Sequence, residues 1–195
     1  MLGFGDEVWW SRLALPALSS WAEPDQPLRL VERAVAKDDP NPKALACYGL
    51  LARVHPHHDP APTDQMLLRF VDGRPVSAVS IDFLRWCSDR LFAAGKTALL
   101  LIWDNASWHI SKTVRSWLRE HNRRVKHGQA GVRIVLCLLP SKSPWLNAIE
   151  PKWVHGKRAV IEPDRLLSAQ ELADRVSAYY GCTHEPHLVQ PQKAA

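Results

Sequence analysis

The chain has 195 residues, of which 46% are hydrophobic and 23% are charged, and its formal net charge is +5. These are the values of a globular protein with its own core, and no stretch is apolar for long enough to predict a membrane span. The first ten residues do not form a secretory signal, and four widely separated cysteines favour a reducing compartment, so we expect a cytoplasmic protein.

The first half of the chain predicts β-strands. The short apolar stretch Leu2–Gly5 is a weak candidate because it contains two glycines, and it ends at the acidic pair Asp6-Glu7. Further strands are expected at Leu28–Val35, Ala44–Val54, Gln65–Val71 and Pro75–Val79. The last two flank Asp72-Gly73, a dipeptide typical of a tight hairpin turn.

In the second half, helices alternate with strands. Apolar residues at helical spacing predict a helix from Ser80 to Gly95, and Ser111, Asn147 and Ser168 are candidate N-caps of three more. The apolar runs Ala98–Trp103 and Val132–Leu139 predict strands covered on both faces. This pattern predicts an α/β fold, a mixed sheet with helices on both faces, in one domain over residues 1–182. Residues 183–195 are expected to form a disordered tail.

Two acidic residues occupy positions suited to a metal site. Asp104 directly follows a predicted strand, and Glu150 lies on the first turn of a predicted helix. Phosphoryl-transfer enzymes hold two Mg²⁺ or Mn²⁺ ions with carboxylates on rigid elements, so a third acid is required. Asp6 and Glu7 are both candidates. Because side chains alternate along a strand, only one of the two should face the site, and Asp6 is the preferred choice.

Basic residues cluster near these acids. Residues 112–133 contain seven basic residues and one acidic residue, a local charge of +6. Such a surface next to a metal site favours a nucleic-acid backbone as the partner. The predicted phosphate contacts are Lys112, Arg115, Arg119, Lys142, Asn147, Lys152, Lys157 and Arg158.

Two motifs resemble those of a known family. Asp104, Asn105 and His109 match an Asp-Asn-x-x-x-His segment. A second string, Ser-Pro-x-Leu-Asn-x-Ile-Glu-x-x-Trp, runs from Ser143 to Trp153. Together with Asp6-Glu7, they make the chain resemble the catalytic domain of DDE transposases, in the bacterial insertion-sequence branch of the mariner superfamily. Ala148 stands where that family usually has proline.

The resemblance implies a ribonuclease-H-like fold and a metal-dependent DNA endonuclease and strand transferase. It implies Asp6, Asp104 and Glu150 as catalytic residues that bind two Mg²⁺ or Mn²⁺ ions. It further implies binding to element ends and target DNA, a homo-oligomer and a nucleoid-associated location. Family members carry an upstream helix-turn-helix region, which is not found before Asp6 in this sequence, so an upstream helix-turn-helix product is a possible partner.

Two other functions fit the same residues. One is a ribonuclease-H-like nuclease that uses the same acids on another substrate. The other is a non-autonomous transposase remnant that binds DNA or a partner protein without catalysis.

Overall fold

The computed structural model describes residues 1–13, 36–54, 63–141, 143–160 and 165–190. The strands are β1 (Leu2–Ser11), β2 (Ala44–Val54), β3 (Thr63–Asp72), β4 (Ala98–Trp103), β5 (Arg133–Leu138) and β6 (Leu188–Val189). The helices are α1 (Ser77–Ala93), α2 (Lys112–Lys126), α3 (Glu150–Val160) and α4 (Ala169–Tyr179), with a short 3-10 turn at Pro144–Leu146. The predicted strand Leu28–Val35 lies outside the described residues.

The strands form one mixed sheet in the order β5-β4-β1-β2-β3-β6. The neighbours β1, β2 and β3 pair antiparallel, whereas β4 pairs parallel to β1 and β5 pairs parallel to β4. Helices α1 and α2 share one hydrophobic core with the sheet, and α3 and α4 share a second core on its other face. The predicted mixed α/β sheet with helices on both faces is therefore confirmed.

The first strand is longer than the sequence predicts. It continues from Leu2 to Ser11, so Asp6 lies in the middle of a strand and not at its end. Local propensity underestimates this strand because its stability comes from its neighbours. It pairs with β2 along its whole length, and its first residues also pair with β4.

Two other predictions, one of a strand and one of burial, are wrong. Residues 77–79 begin helix α1 and do not form the second strand of a hairpin, because Val79, Phe83 and Leu84 bury their side chains in a core. The run Ala98–Trp103 is a strand as predicted, but it is not covered on both faces. Leu100 of β4 and Val135 of β5 are 42% and 49% exposed, because α3 and α4 contact the other half of the sheet.

The prediction of a disordered tail is wrong for residues 183–190. These residues belong to the described part of the chain, and Leu188–Val189 form strand β6 parallel to the end of β3. The backbone amide of Gln190 donates to the carbonyl of Asp72. Among the free cysteines, Cys87 is buried and Cys137 is exposed. None of the helices in the described ranges is both long and apolar enough to cross a bilayer.

Candidate active site

Three separate elements bring the predicted acids together. Strands β1 and β4 are parallel, and Phe4 lies opposite Ile102. Two residues further along, the same register places Asp6 beside Asp104. Glu150 is the first residue of α3, whose buried residues belong to the core on the face that also holds Phe4 and Val8. Side chains two residues apart in a strand share a face, so Asp6 points toward α3.

Asp6 is a buried acid with a strongly raised pKa. Its residue is 9% exposed, and the indole Nε1 of Trp153 donates to its Oδ2 at 2.9 Å. Burial, followed by repulsion from Glu150 and Glu7, raises the pKa of the Asp6 carboxyl from 3.8 to about 7. Desolvation and like charges both oppose ionisation, so a nearby positive charge would favour the ionised form of this group.

A glycine makes the contact with Trp153 possible. Gly49 of β2 lies opposite Asp6 in the antiparallel register. A Cβ atom at this position would lie 2.4 Å from Cη2 of Trp153, far inside van der Waals contact. Only a residue without a side chain therefore leaves room for the indole that holds Asp6.

Glu150 and Asp104 differ in their electrostatic environment. Burial and then repulsion from Asp104 raise the pKa of Glu150, while Lys157 opposes this shift. The pKa of Asp104 is lowered, chiefly by its hydrogen bond with His109. Asp104 therefore stays ionised, and Glu150 lies close enough to both Asp6 and Asp104 to be influenced by their charges.

His109 joins two of the acids from behind the site. Its Nδ1 lies 2.6 Å from Oδ1 of Asp104, and its Nε2 lies 2.8 Å from Oε2 of Glu7. The ring is fully buried and stacks on Trp103, with ring centroids 3.7 Å apart. Burial opposes the charged imidazolium, but the contacts with Asp104 and Glu7 outweigh it and raise the pKa of His109. These contacts therefore favour the protonated ring, which fixes Asp104.

The structure separates the roles of Asp6 and Glu7. Glu7 points to the opposite face from Asp6, where its Oε1 accepts a hydrogen bond from Trp108 Nε1 at 2.8 Å and its Oε2 faces His109. Asp6 instead shares its face with Trp153 and Glu150. This arrangement favours Asp6 as the first acid of the site, with Glu7 as its structural neighbour.

The loop before α3 is fixed to strand β1. The side-chain amide of Asn147 donates to the carbonyl of Gly5 at 3.0 Å, and its Oδ1 accepts a long contact from the Ile149 amide. Asn147 is only 2% exposed. The prediction of Asn147 as a DNA contact therefore does not fit its surroundings, because its donor is already used to position the Glu150 helix.

A pocket of about 440 Å³ opens beside Asp104 and Glu150. Its remaining walls are formed by Asn105, Leu139, Pro140, Ser141, Ser143, Pro144 and Asn147. No three acidic, histidine or cysteine side chains of the described residues already enclose a point where a metal could bind. The clustered oxygen ligands and the raised pKa of Asp6 nevertheless fit hard divalent cations, since such ions relieve the repulsion between carboxylates.

The predicted basic residues fall on different surfaces. Lys112, Arg115 and Arg119 are exposed along one face of α2, while Arg123 and Arg124 are paired with Glu120. Lys152 is paired with Asp64 of β3 at 3.7 Å. The exposed residues Lys157 and Arg158 lie at the end of α3, and Lys142 lies outside the described residues.

Sequence reasoning missed two contacts of this site. In the sequence, Trp153 is only the last residue of the matching string, and Glu7 is only a rival of Asp6. The spacing Glu-x-x-Trp places Trp153 one helical turn after Glu150, which could have indicated a side chain directed at the same site. The contact between His109 and Glu7 spans about a hundred residues, so no local pattern could indicate it.

Comparison with known families decides the assignment. The family model described as DDE superfamily endonuclease matches residues 65–173, more than half of the chain. The chain belongs to the DDE superfamily endonucleases. The matched region contains Asp104 and Glu150, whereas Asp6 lies before it. No curated protein matches the sequence significantly.

Solved structures show the fold of this DDE endonuclease. The Mos1 transposase paired-end complex with left transposon end is 15% identical, with a TM-score of 0.63 over 93% of this chain and 48% of that chain. The Mos1 mariner paired end complex with Mn is 14% identical, with a TM-score of 0.62 and coverages of 93% and 48%. The chain thus spans about half the length of these structures, and the expected ribonuclease-H-like fold is confirmed.

The buried carboxyl of Asp6 makes the stability of the metal-free DDE endonuclease depend on pH. Its pKa is 3.8 in an unfolded chain and about 7 in the fold, so the folded state holds the proton more tightly. Stability should therefore fall as pH rises between these values, by about 1.4 kcal/mol per pH unit as an upper limit, and level off above them. Asp6→Asn, which stays neutral, should remove this dependence and be more stable than wild type at about pH 8.

Chemical denaturation in the presence of a chelator measures this effect. Asp89→Asn, which changes an exposed acid on α1, serves as the control and should keep the wild-type pH profile. Parallel profiles for wild type and Asp6→Asn would contradict the raised pKa of Asp6.

Proposed function

We propose that the protein is the catalytic domain of a DNA transposase, which cleaves DNA strands and transfers the freed ends to target DNA with Mg²⁺ or Mn²⁺. The convergence of Asp6, Asp104 and Glu150 from three elements is the observation that carries this proposal. Membership of the DDE superfamily endonucleases supports it. The shared fold with Mos1 transposase, solved with transposon ends and with Mn, adds further support.

The three acids would hold two divalent cations. These ions would supply the positive charge that activates the attacking oxygen and stabilises the leaving oxygen at the phosphorus atom. In the first reaction, water attacks and the bond between phosphorus and the 3′-oxygen breaks, which leaves a 3′-hydroxyl. In the second, this hydroxyl attacks a phosphodiester of target DNA and displaces one of its 3′-oxygens.

The residues around the acids hold them in place for this chemistry. Trp153 orients Asp6 through its indole N–H, and Asn147 ties the start of α3 to the carbonyl next to Asp6. His109 neutralises part of the charge behind Asp104 and fixes one of its oxygens. Such supporting contacts keep ligands near a productive geometry before a metal binds.

The exposed face of α2 would bind the DNA backbone. Lys112, Arg115 and Arg119 are spaced three and four residues apart, so they line one side of the helix that follows His109. Lys157 and Arg158 would contribute from α3. Phosphate contacts of this kind position a duplex without reading its sequence. Recognition of element ends would then come from protein beyond this domain, in the same polypeptide or an upstream helix-turn-helix product, within a homo-oligomer.

The substitution Asp104→Asn tests the catalytic assignment. The loss of one ligand charge should lower Mg²⁺-dependent nicking of a supercoiled plasmid by at least about a hundredfold, the scale of losing one electrostatic group at a reacting centre. The fold should remain intact because the Asp104 side chain is 46% exposed. Asp89→Asn is the matched control. Nicking by Asp104→Asn at the rate of this control would refute the assignment.

The double substitution Arg115→Ala/Arg119→Ala tests the DNA surface. Each lost phosphate contact should reduce the slope of log affinity against log salt by about 1, and binding to duplexes of different sequence should weaken alike. Arg85→Ala removes an exposed arginine of α1 that is paired with Asp82, and it should keep the wild-type slope. Fluorescence anisotropy over a salt series measures these slopes. An unchanged slope in the double variant would place the DNA elsewhere.

A further inference from the structure

A chain of four titratable side chains lies outside the candidate active site. His184 Nδ1 is 2.6 Å from Oδ1 of Asp174 on α4, and His187 Nδ1 is 2.6 Å from Oδ1 of Asp72 at the end of β3. The two Nε2 atoms lie 3.1 Å apart. The chain Asp174–His184–His187–Asp72 therefore joins α4, the segment leading into β6, and β3.

The three contacts in this row of side chains need more hydrogens than two neutral imidazoles provide. Each of the three contacts requires one hydrogen, and ionised carboxylates donate none. Two neutral histidines carry two N–H hydrogens in total, which the two carboxylates take up at Nδ1. Both Nε2 lone pairs then face each other across 3.1 Å, so a positive species between them is required to make that contact attractive.

The two histidines are largely buried, but they remain accessible to solvent. The side chains of His184 and His187 are 16% and 19% exposed, and both rings lie beside Phe70, with centroids 5.6 and 5.5 Å from its ring. The two imidazole centroids are 5.3 Å apart, so the rings meet end to end through their nitrogen atoms. Carboxylates behind Nδ1 orient histidines in the same way in metal sites, where they also raise the basicity of the ligand.

We propose that His184 and His187 form a metal site in which their Nε2 atoms, 3.1 Å apart, bind one zinc-class ion. Two imidazole nitrogens are suitable ligands for such metals, with water completing the coordination. The occupied site connects β6 to α4 and to the end of β3. This site does not depend on the proposed DNA chemistry.

Other polar groups around the pair are already engaged. On α4, the amide of Gln170 contacts both Asp174 and His184. On β3, the Arg69 guanidinium donates to the carbonyl of Pro186, and on α1, Arg90 is paired with Glu185. These contacts fix the backbone at residues 185 and 186, between the two histidines. Binding of the cation should therefore affect the position of the two imidazoles and of β6, which follows them.

The substitution His187→Asn isolates the site. The asparagine amide can replace Nδ1 as the donor to Asp72, but it provides no atom in place of Nε2. His127→Asn, at the exposed C-terminal end of α2, is the control. The full chain is compared by hydrogen exchange of the backbone amides of residues 188–190, at one pH, with a chelator and with Zn²⁺.

In wild type and the His127→Asn control, we expect about tenfold greater protection of these amides with Zn²⁺ than with the chelator, because an ion that binds only the folded segment stabilises it. His187→Asn should show no response to Zn²⁺. No response of wild type to Zn²⁺, or an equal response in His187→Asn, would overturn the proposal.

Discussion

Repulsion between carboxylates that share a poorly solvated region is the constraint on which this structure depends. Glu150 and Glu7 act on the charge of Asp6, Asp104 and Glu7 act on that of Glu150, and burial increases the cost of ionising both Asp6 and Glu150. The protein compensates part of this cost with one buried cation, His109, and with N–H donors. The uncompensated part remains as the raised pKa of Asp6 and Glu150. A site with such unbalanced negative charge is suited to binding additional positive charge.

The alternation of side chains along β1 places the neighbouring acids Asp6 and Glu7 on opposite faces of the sheet. Asp6 faces α3, where Trp153 and Glu150 are its neighbours, whereas Glu7 faces the imidazole of His109. Glu7 thus stabilises the cation that fixes Asp104, while Asp6 remains on the side of Glu150. Two adjacent acids that look equivalent in the sequence therefore have different structural roles.

The sequence predicts those parts that local patterns determine. The apolar run before Asp104 gives β4 with its correct bounds, and Ser111 caps α2 as expected, with its side chain accepting from the Val114 amide. Parts that depend on distant partners are not predicted. Strand β1 is long because β2 and β4 supply its hydrogen bonds. Strand β6 directly follows His187, which contacts Asp72, a residue 115 positions away. The identity of the first acid required the same long-range information.

The most direct test of the account is a calorimetric titration of the protein with Mn²⁺, performed on wild type and on Glu150→Gln. Glu150 interacts electrostatically with both Asp6 and Asp104, so the loss of its charge should lower the affinity of the site for Mn²⁺. We predict two Mn²⁺ ions per wild-type chain, and the loss of at least one of them in Glu150→Gln. Identical isotherms for the two proteins, or no binding of Mn²⁺ to wild type, would contradict a shared metal site formed by Asp6, Asp104 and Glu150.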